Sequence, residues 1–338
     1  MTAGLVSAVL VNLNCAGFAE RVLRSVASQT HTAIETIVVD NWSTDGSVEW
    51  IRKRYPAVKV IELGSNRGFS AALNHGIAHS QGEFVLSLNF DVELEPQFVT
   101  ALVLQLRARP DCGWAAGTMR QLRDAGPIDV IDCNGHYLLR CWHCYAYDPD
   151  RPRLDDYQMV TQIFGASGCA AMYRRSMLDD VGIDGQVFDE TLFAYFEHTD
   201  LDWRAQHAGY QCLFVPAARG AHVRSGTGMS RRTEMHALPL SNRFLVMAKN
   251  DSWRDLLEDA SPIARRTLAD VRATLASGQT RALRLAVWRI APHLPGMLVK
   301  RRQVRKARTG STTPARRWRM NPHFSADPTV RNRHRSPA

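Results

Sequence analysis

The chain has 338 residues, 45% of them hydrophobic and 22% charged, with a formal net charge of +9. That apolar content can bury a sizeable core and excludes a disordered protein. The charge is uneven: residues 270–338 carry 16 Lys and Arg against Asp270 and Asp327, leaving 26 basic and 31 acidic residues in the first 269. A mildly acidic body with one basic end disfavours duplex binding, so no nucleic-acid partner is expected, and points to an anionic membrane surface or other polyanion at that end.

Met1-Thr2-Ala3-Gly4-Leu5 places no basic residue before an apolar run that stops at Asn12, so it does not read as a signal peptide. No stretch approaches the ~20 uninterrupted apolar residues of a spanning helix. Seven cysteines without an export signal suggest reduced thiols in a cytoplasmic protein.

Val6–Val11 is apolar but for Ser7, as in a parallel strand covered on both faces, and it ends in Asn12-Leu13-Asn14. Phe18, Val22 and Val26 predict a helix. A second strand, Ile34–Val39, ends in Asp40-Asn41, and Ser43-Thr44-Asp45-Gly46-Ser47 supplies caps for a helix that Pro56 ends. Val58–Leu63 is a third strand. Asn66-Arg67-Gly68 turns into a helix with Phe69, Leu73 and Ile77 on one face, and Phe84–Phe90 forms a fourth strand that delivers Asp91 to its end.

Four alternations of strand and helix with short links predict a doubly wound, mostly parallel α/β sheet with flanking helices. In such sheets ligands sit outside the carboxyl ends of the strands. There Asp91 can share a hard cation with phosphate oxygens.

Residues 111–160 show no clear period. Cys133-Asn134-Gly135-His136 and Cys141-Trp142-His143-Cys144 offer four possible zinc ligands, but the pairs lie closer than in structural zinc sites, so reduced, part-buried thiols are expected. Gly165–Tyr173 reads as a small-residue turn entering a strand, followed by a helix over about 175–181. Glu197-His198-Thr199-Asp200 opens a helix ending at Gly209. Glu197 and Asp200, three apart, are expected to face the same way and His198 to point elsewhere. Cys212–Val215 and Ala221–Val223 read as two further strands.

Beyond about 255 the sequence becomes Arg-rich. Leu283, Val287 and Ile290 form an apolar stripe flanked by Arg281, Arg284 and Arg289, with Trp288 as an interfacial aromatic. Lys300–Arg319 holds nine basic and no acidic residues, enough to bind anionic headgroups at about 1 kcal/mol per charge. Peripheral attachment to the inner face of the cytoplasmic membrane is expected.

Taken together, Val11–Asn14, Ile37–Ser47, Asn66-Arg67-Gly68-Phe69 with Asn74, Leu88-Asn89-Phe90-Asp91, Phe188–Arg204 and His222 resemble family 2 glycosyltransferases of the GT-A fold, in particular the rhamnosyltransferase-like branch that builds bacterial surface polysaccharides. The composition gives a helical, basic, amphipathic and partly disordered extension (256–338); the resemblance, which reaches to about residue 250, implies a nucleotide-sugar-binding half (1–110) and an acceptor-side and catalytic half (111–255). It implies a dTDP- or UDP-linked donor, a glycan or lipid-linked acceptor, and a divalent metal, Mg2+ or Mn2+, held by Asp91 and His222. Asp40 would read the nucleobase with Asn12 beside it, and Asn66, Arg67 and Asn89 would join the donor site. Where the family has Glu-Asp-x-Asp this chain has Glu197-His198-Thr199-Asp200, so an imidazole stands at the place of the base. His198 can accept a proton near neutral pH, with Glu197 or Asp200 as alternatives. A non-catalytic relative that binds nucleotide sugar or glycan is the rival expectation. A nucleotidyltransferase is disfavoured, since no N-terminal Gly-rich, Lys/Arg-bearing phosphate loop is present.

Overall fold

The computed structural model describes residues 1–123, 126–141, 144–145, 158–223, 233–306 and 318. The first half builds strands β1 (Thr2–Asn12), β2 (Ile34–Asp40), β3 (Lys59–Glu62), β4 (Gly82–Leu88) and β5 (Val92–Leu94) with helices α1 (Ala16–Ala27), α2 (Ser47–Arg54), α3 (Phe69–Ala78) and α4 (Phe98–Ala108). The second adds β6 (Cys112–Arg123), β7 (Gly126–Cys133), β8 (Tyr137–Leu138), β9 (Cys144–Tyr145), β10 (Thr161–Ile163), β11 (Ala170–Arg174), α5 (Arg175–Val181), α6 (Glu197–His207), β12 (Gln211–His222) and α7 (Thr233–Asn250). Helices α8 (Trp253–Glu258), α9 (Ala260–Ala276) and α10 (Thr280–Lys306) follow.

The main sheet runs β10-β12-β6-β11-β4-β1-β2-β3. β1 pairs in parallel with β2 and β4, β2 with β3, and β6 with β12, whereas β11 is antiparallel to β4 and β6. Alternate residues of the central strands feed two cores. Ala8, Leu10, Leu86 and Leu88 pack with α1 and α4, while Val9, Ile37, Val39 and Val85 pack with α3, α5 and α6. Cover on both faces is why these strands read as largely apolar stretches without a strict alternation.

Two expectations are corrected. Residues 111–160 are not irregular throughout, because the long strands β6 and β7 begin there. The polypeptide from Gln211 to His222 is one strand with a register shift between Phe214 and Arg219, and not two separate ones. The C-terminal extension is helical up to Lys306, as expected, and packs on the body: Arg301 and Val304 of α10 are buried, and Lys300 bonds the Asp189 carboxylate at 2.7 Å. Trp142, His143 and nearly all of 307–338, including most of the Lys300–Arg319 run, lie outside the described residues. Among the described residues no helix is long and apolar enough to cross a membrane.

Asp189 also meets Lys249 Nζ at 2.7 Å, and that ammonium meets Asp200 at 2.7 Å. Burial alone would raise the Asp189 carboxyl, but Lys249 and Lys300 hold it well below the usual carboxylate range. A depressed carboxyl stabilises the fold above its unfolded value and loses that contribution as pH falls through the folded one. Lys300→Ala should therefore cost about 1–3 kcal/mol near neutral pH, Asp189 keeping one of its two ammonium partners. In denaturant titrations the gap to the parent protein should narrow below about pH 4.

Candidate active site

The carboxyl ends of β1, β2 and β4 open into a cleft of about 440 Å³, lined by Val11, Asn41, Asn66, Asn89, Asp91, His136, Cys169, Glu197, His198 and His222 among others. Asp91 lies three residues past the end of β4, in the link to β5. Its backbone oxygen accepts from Val223 N at 2.9 Å, which fixes it beside the end of β12. There His222 Nε2 stands 3.2 Å from Asp91 Oδ1, and His222 Nδ1 lies 2.7 Å from Asp132 Oδ2. Burial would lower the imidazole, but hydrogen bonds to Asp132 and Asp91 carry it up to about 10.

The pair suits a divalent cation. Two neighbouring ligands of an octahedral ion, each about 2.1 Å from it, stand about 3 Å apart, close to the observed 3.2 Å. Asp132 then takes the part of the outer carboxylate that orients a ligating histidine. Among the described residues no three His, Cys, Asp or Glu groups converge on one point. Further ligands would come from a diphosphate and water, the usual arrangement for Mg2+.

Asn12 and Asp40 face each other in the β1–β2 register, and both are buried beneath the cleft surface. Asn12 Nδ2 donates to Asp40 Oδ1 at 2.8 Å, while Asp40 Oδ2 accepts from Trp42 N and Ser43 N at 3.2 and 3.0 Å. Asp40 thus folds the turn that carries Asn41 to the cleft. Asn41 in turn bonds Asn66 Oδ1 and receives Arg67 N. The Arg67 guanidinium reaches His75 and Glu190.

The opposite wall is the entry to α6. Phe193, Tyr195 and Phe196 all hold positive φ, 63°, 66° and 70°, a conformation costly for bulky residues and kept only where the surroundings enforce it. Asn242 of α7 is the clamp: its Nδ2 reaches the carbonyls of Leu192, Ala194 and Tyr195 at 2.8–2.9 Å. The chain consequently enters α6 end-on, and the consecutive Glu197, His198 and Thr199 all line the cleft. The expected pairing of faces is corrected here. Asp200 lies off the cleft, fully buried, bonded to Arg204, Lys249 and Asn250.

His198 packs against Phe188, with ring centroids 4.9 Å apart, and a Cβ at Gly168 would run into its ring. Nδ1 lies 2.9 Å from Glu197 Oε1 and Nε2 3.4 Å from Ser87 Oγ. Both imidazole nitrogens thus face protein groups, whereas the buried Glu197 Oε2 has no hydrogen-bond partner.

The sequence reading missed several contributors. His136 lines the cleft with Nδ1 2.6 Å from Asp202, a carboxylate fully buried under Trp114 Nε1 and Ala166 N. Burial pushes the Asp202 carboxyl up, although the bond to His136 opposes it. Cys133 lies against Cys169, sulfur to sulfur at 2.9 Å. The described members of the zinc candidate therefore do not converge, Cys133 turning to Cys169 and His136 to Asp202. Cys-x-x-His had marked the right segment for a different chemistry, and Asp132 and Asn242 gave no local signal.

Residues 7–182 match the family Glycosyl transferase family 2. The chain is 27% identical over 300 residues to the N-acetylglucosaminyl-diphospho-decaprenol L-rhamnosyltransferase of Mycobacterium tuberculosis, covering 79% of this chain and 92% of the relative. Its fold is similar to that of S. aureus TarS residues 1–349 solved with UDP-GlcNAc, with a TM-score of 0.56, 14% identity and 90% and 91% coverage of this chain and that one. The mannosyltransferase PcManGT of Pyrobaculum calidifontis, solved with GDP-Man and Mn2+, gives a TM-score of 0.53 at 17% identity, with 89% and 85% coverage. The architecture is the GT-A fold.

Because Asp40 holds a turn together, Asp40→Ala strands two backbone donors and should cost about 1–3 kcal/mol of stability as well as weaken donor binding. A thermal melt beside a nucleotide titration checks this. A change in binding with an unchanged melting temperature would make Asp40 a contact residue alone.

Proposed function

Because the chain belongs to glycosyl transferase family 2, we propose that it is a metal-dependent, inverting hexosyltransferase that moves rhamnose or a similar hexose from a dTDP- or UDP-linked donor to a lipid-linked or polysaccharide acceptor of the cell envelope. The observation that carries this reading is the pairing, within one cleft, of the Asp91–His222 ligand pair with a buried, unpartnered Glu197 oxygen. The rhamnosyltransferase relative, named for a decaprenol-linked substrate, supports the donor and acceptor classes. Eleven Lys and Arg on residues 260–306 against Asp270 alone support attachment to an anionic membrane face.

Glu197 is the base in this reading, in preference to His198. The acceptor hydroxyl gives its proton to Glu197 Oε2 as its oxygen bonds the anomeric carbon. On the far side the bond to the diphosphate oxygen breaks, and its electron pair leaves with the nucleoside diphosphate. One displacement inverts the anomeric centre. His198 holds Glu197 through Nδ1, and Asn41 and Asn66 shape the nucleotide end. Asp91 and His222 would hold a divalent cation, whose charge would offset that of the leaving diphosphate.

Donor turnover with dTDP- and UDP-sugars in Mn2+ or Mg2+ tests this directly. Glu197→Gln should lower kcat by roughly 10²–10⁴-fold with donor affinity retained, and His198→Ala should cost less. The outcome that sinks the assignment is an active Glu197→Gln beside an inactive His198→Ala. Donor binding without turnover under every condition favours the non-catalytic alternative, which starts from His198 standing where the family has an acid.

A further inference from the structure

Burying a carboxylate is unfavourable unless donors meet it, and Asp202 is fully buried beside the cleft. Its Oδ1 accepts from Trp114 Nε1 at 2.8 Å and from Ala166 N at 3.2 Å. Oδ2 faces His136 Nδ1 at 2.6 Å. A carboxylate held this way keeps a neutral imidazole in one tautomer, with the proton on Nδ1 and the lone pair on Nε2. His136 itself lines the cleft, with 14% of its side chain exposed. No hydrogen bond engages its Nε2 among the described residues, so the ring offers the cleft an oriented and vacant acceptor.

Helix α6 sets where on the wall this acceptor stands. His198 and Asp202 are four residues apart, so they share a face of the helix, and helical side chains lean toward the N-terminus, which here opens on the cleft. Asp202 therefore lies one turn below His198, and His136 meets it there. Backbone contacts hold the arrangement. His136 N donates to Gly165 O at 2.7 Å; a Cβ at Gly165 would collide with the Asp202 carboxylate, and one at Gly168 with the His198 ring. His136 thus belongs to the Glu197–His198 side of the cleft, where the reacting sugars would lie.

We propose that His136 binds a sugar hydroxyl, its Nε2 accepting the O–H, and that Asp202 is the positioning residue that fixes the tautomer. This rests on the glycosyltransfer reading given above, in which both the donor sugar and the acceptor sugar come close to Glu197. The bare nitrogen selects between the parts of such ligands. An ionised phosphate oxygen has no proton to give Nε2, whereas every sugar hydroxyl has one. The diphosphate accordingly belongs with Asp91 and His222, and the hydroxyl with His136.

Nitrogen NMR of the full chain, isotope-labelled at histidine and with Mg2+ as the cation, tests this; His136 is assigned by the signals lost in His136→Gln. Nε2 should resonate as an unprotonated nitrogen and keep its position when UDP or dTDP is added alone. It should shift toward the protonated range with a UDP- or dTDP-sugar, which identifies the donor sugar as its ligand, or with hexose and N-acetylhexosamine methyl glycosides added beside the nucleotide, which identifies the acceptor. Asp202→Asn, whose amide N–H would meet Nδ1, should move the proton to Nε2. Both Asp202→Asn and His136→Ala should weaken the responding sugar roughly three- to tenfold, with nucleoside diphosphate affinity unchanged. A shift of Nε2 with nucleoside diphosphate alone, no shift with any sugar, or unchanged sugar affinity in His136→Ala overturns the proposal. His222 reports on the enzymatic reading separately: if its signals respond to nucleotide while His136 stays silent, only this proposal falls, and if neither responds, both do.

Discussion

Lys249 stands between two buried carboxylates, 2.7 Å from Asp189 and 2.7 Å from Asp200, with about 1% of its own side chain exposed. An ammonium cannot be buried so deeply without such partners. Its two partners belong to the two segments that matter: Asp189 begins the turn toward the cleft, and Asp200 lies in the first turn of α6. Lys300 of α10 and Arg204 of α6 complete the chain of charge. Each of the two carboxylates meets two cations, so removing one member weakens its neighbours without stranding either carboxylate, and the shared charges hold these helices in one arrangement around the cleft.

That arrangement explains how a strained entry to α6 is tolerated. Three bulky residues with positive φ are each unfavourable by about 1–3 kcal/mol, and Asn242 with the ion network offsets them from α7. The result is that Glu197 and His198, adjacent in sequence, both reach the cleft. Across from them the small residues of Gly165–Gly168 allow close approach: a side chain at Gly165 would collide with the Asp202 carboxylate. The cleft is thus built from two rigid sides, a parallel sheet edge ending at Asp91 and a helix end held by buried charge.

The first half of the chain was legible because its signals are local. Largely apolar stretches of six or seven residues ended in Asn12, Asp40 and Asp91, and the strands end near those positions. Asp91, His222, Glu197 and His198 were identified by motif, and the structure brings all four to one cleft. β6 escaped because its buried residues are largely Gly, Ala, Thr and Cys, without the β-branched run that marks a strand. The burial of Asp40 and Asp200 escaped for a different reason: a carboxylate at a strand or helix end looks the same in sequence whether it faces a ligand or its own backbone. His136 and Asp202 lie 66 residues apart, and they meet beside Gly165, whose carbonyl accepts from His136 N and which packs against the Asp202 carboxylate.

The central claim is that Asp91 and His222 hold a cation facing Glu197 across a single cleft. Crystals grown with Mn2+ and a nucleoside diphosphate, measured at the manganese absorption edge, test it most directly. The account predicts one anomalous peak within about 2.3 Å of both Asp91 Oδ1 and His222 Nε2, bridged to the diphosphate, with Glu197 facing the space where the sugar would lie. A peak elsewhere, or a diphosphate bound away from both residues, would contradict it.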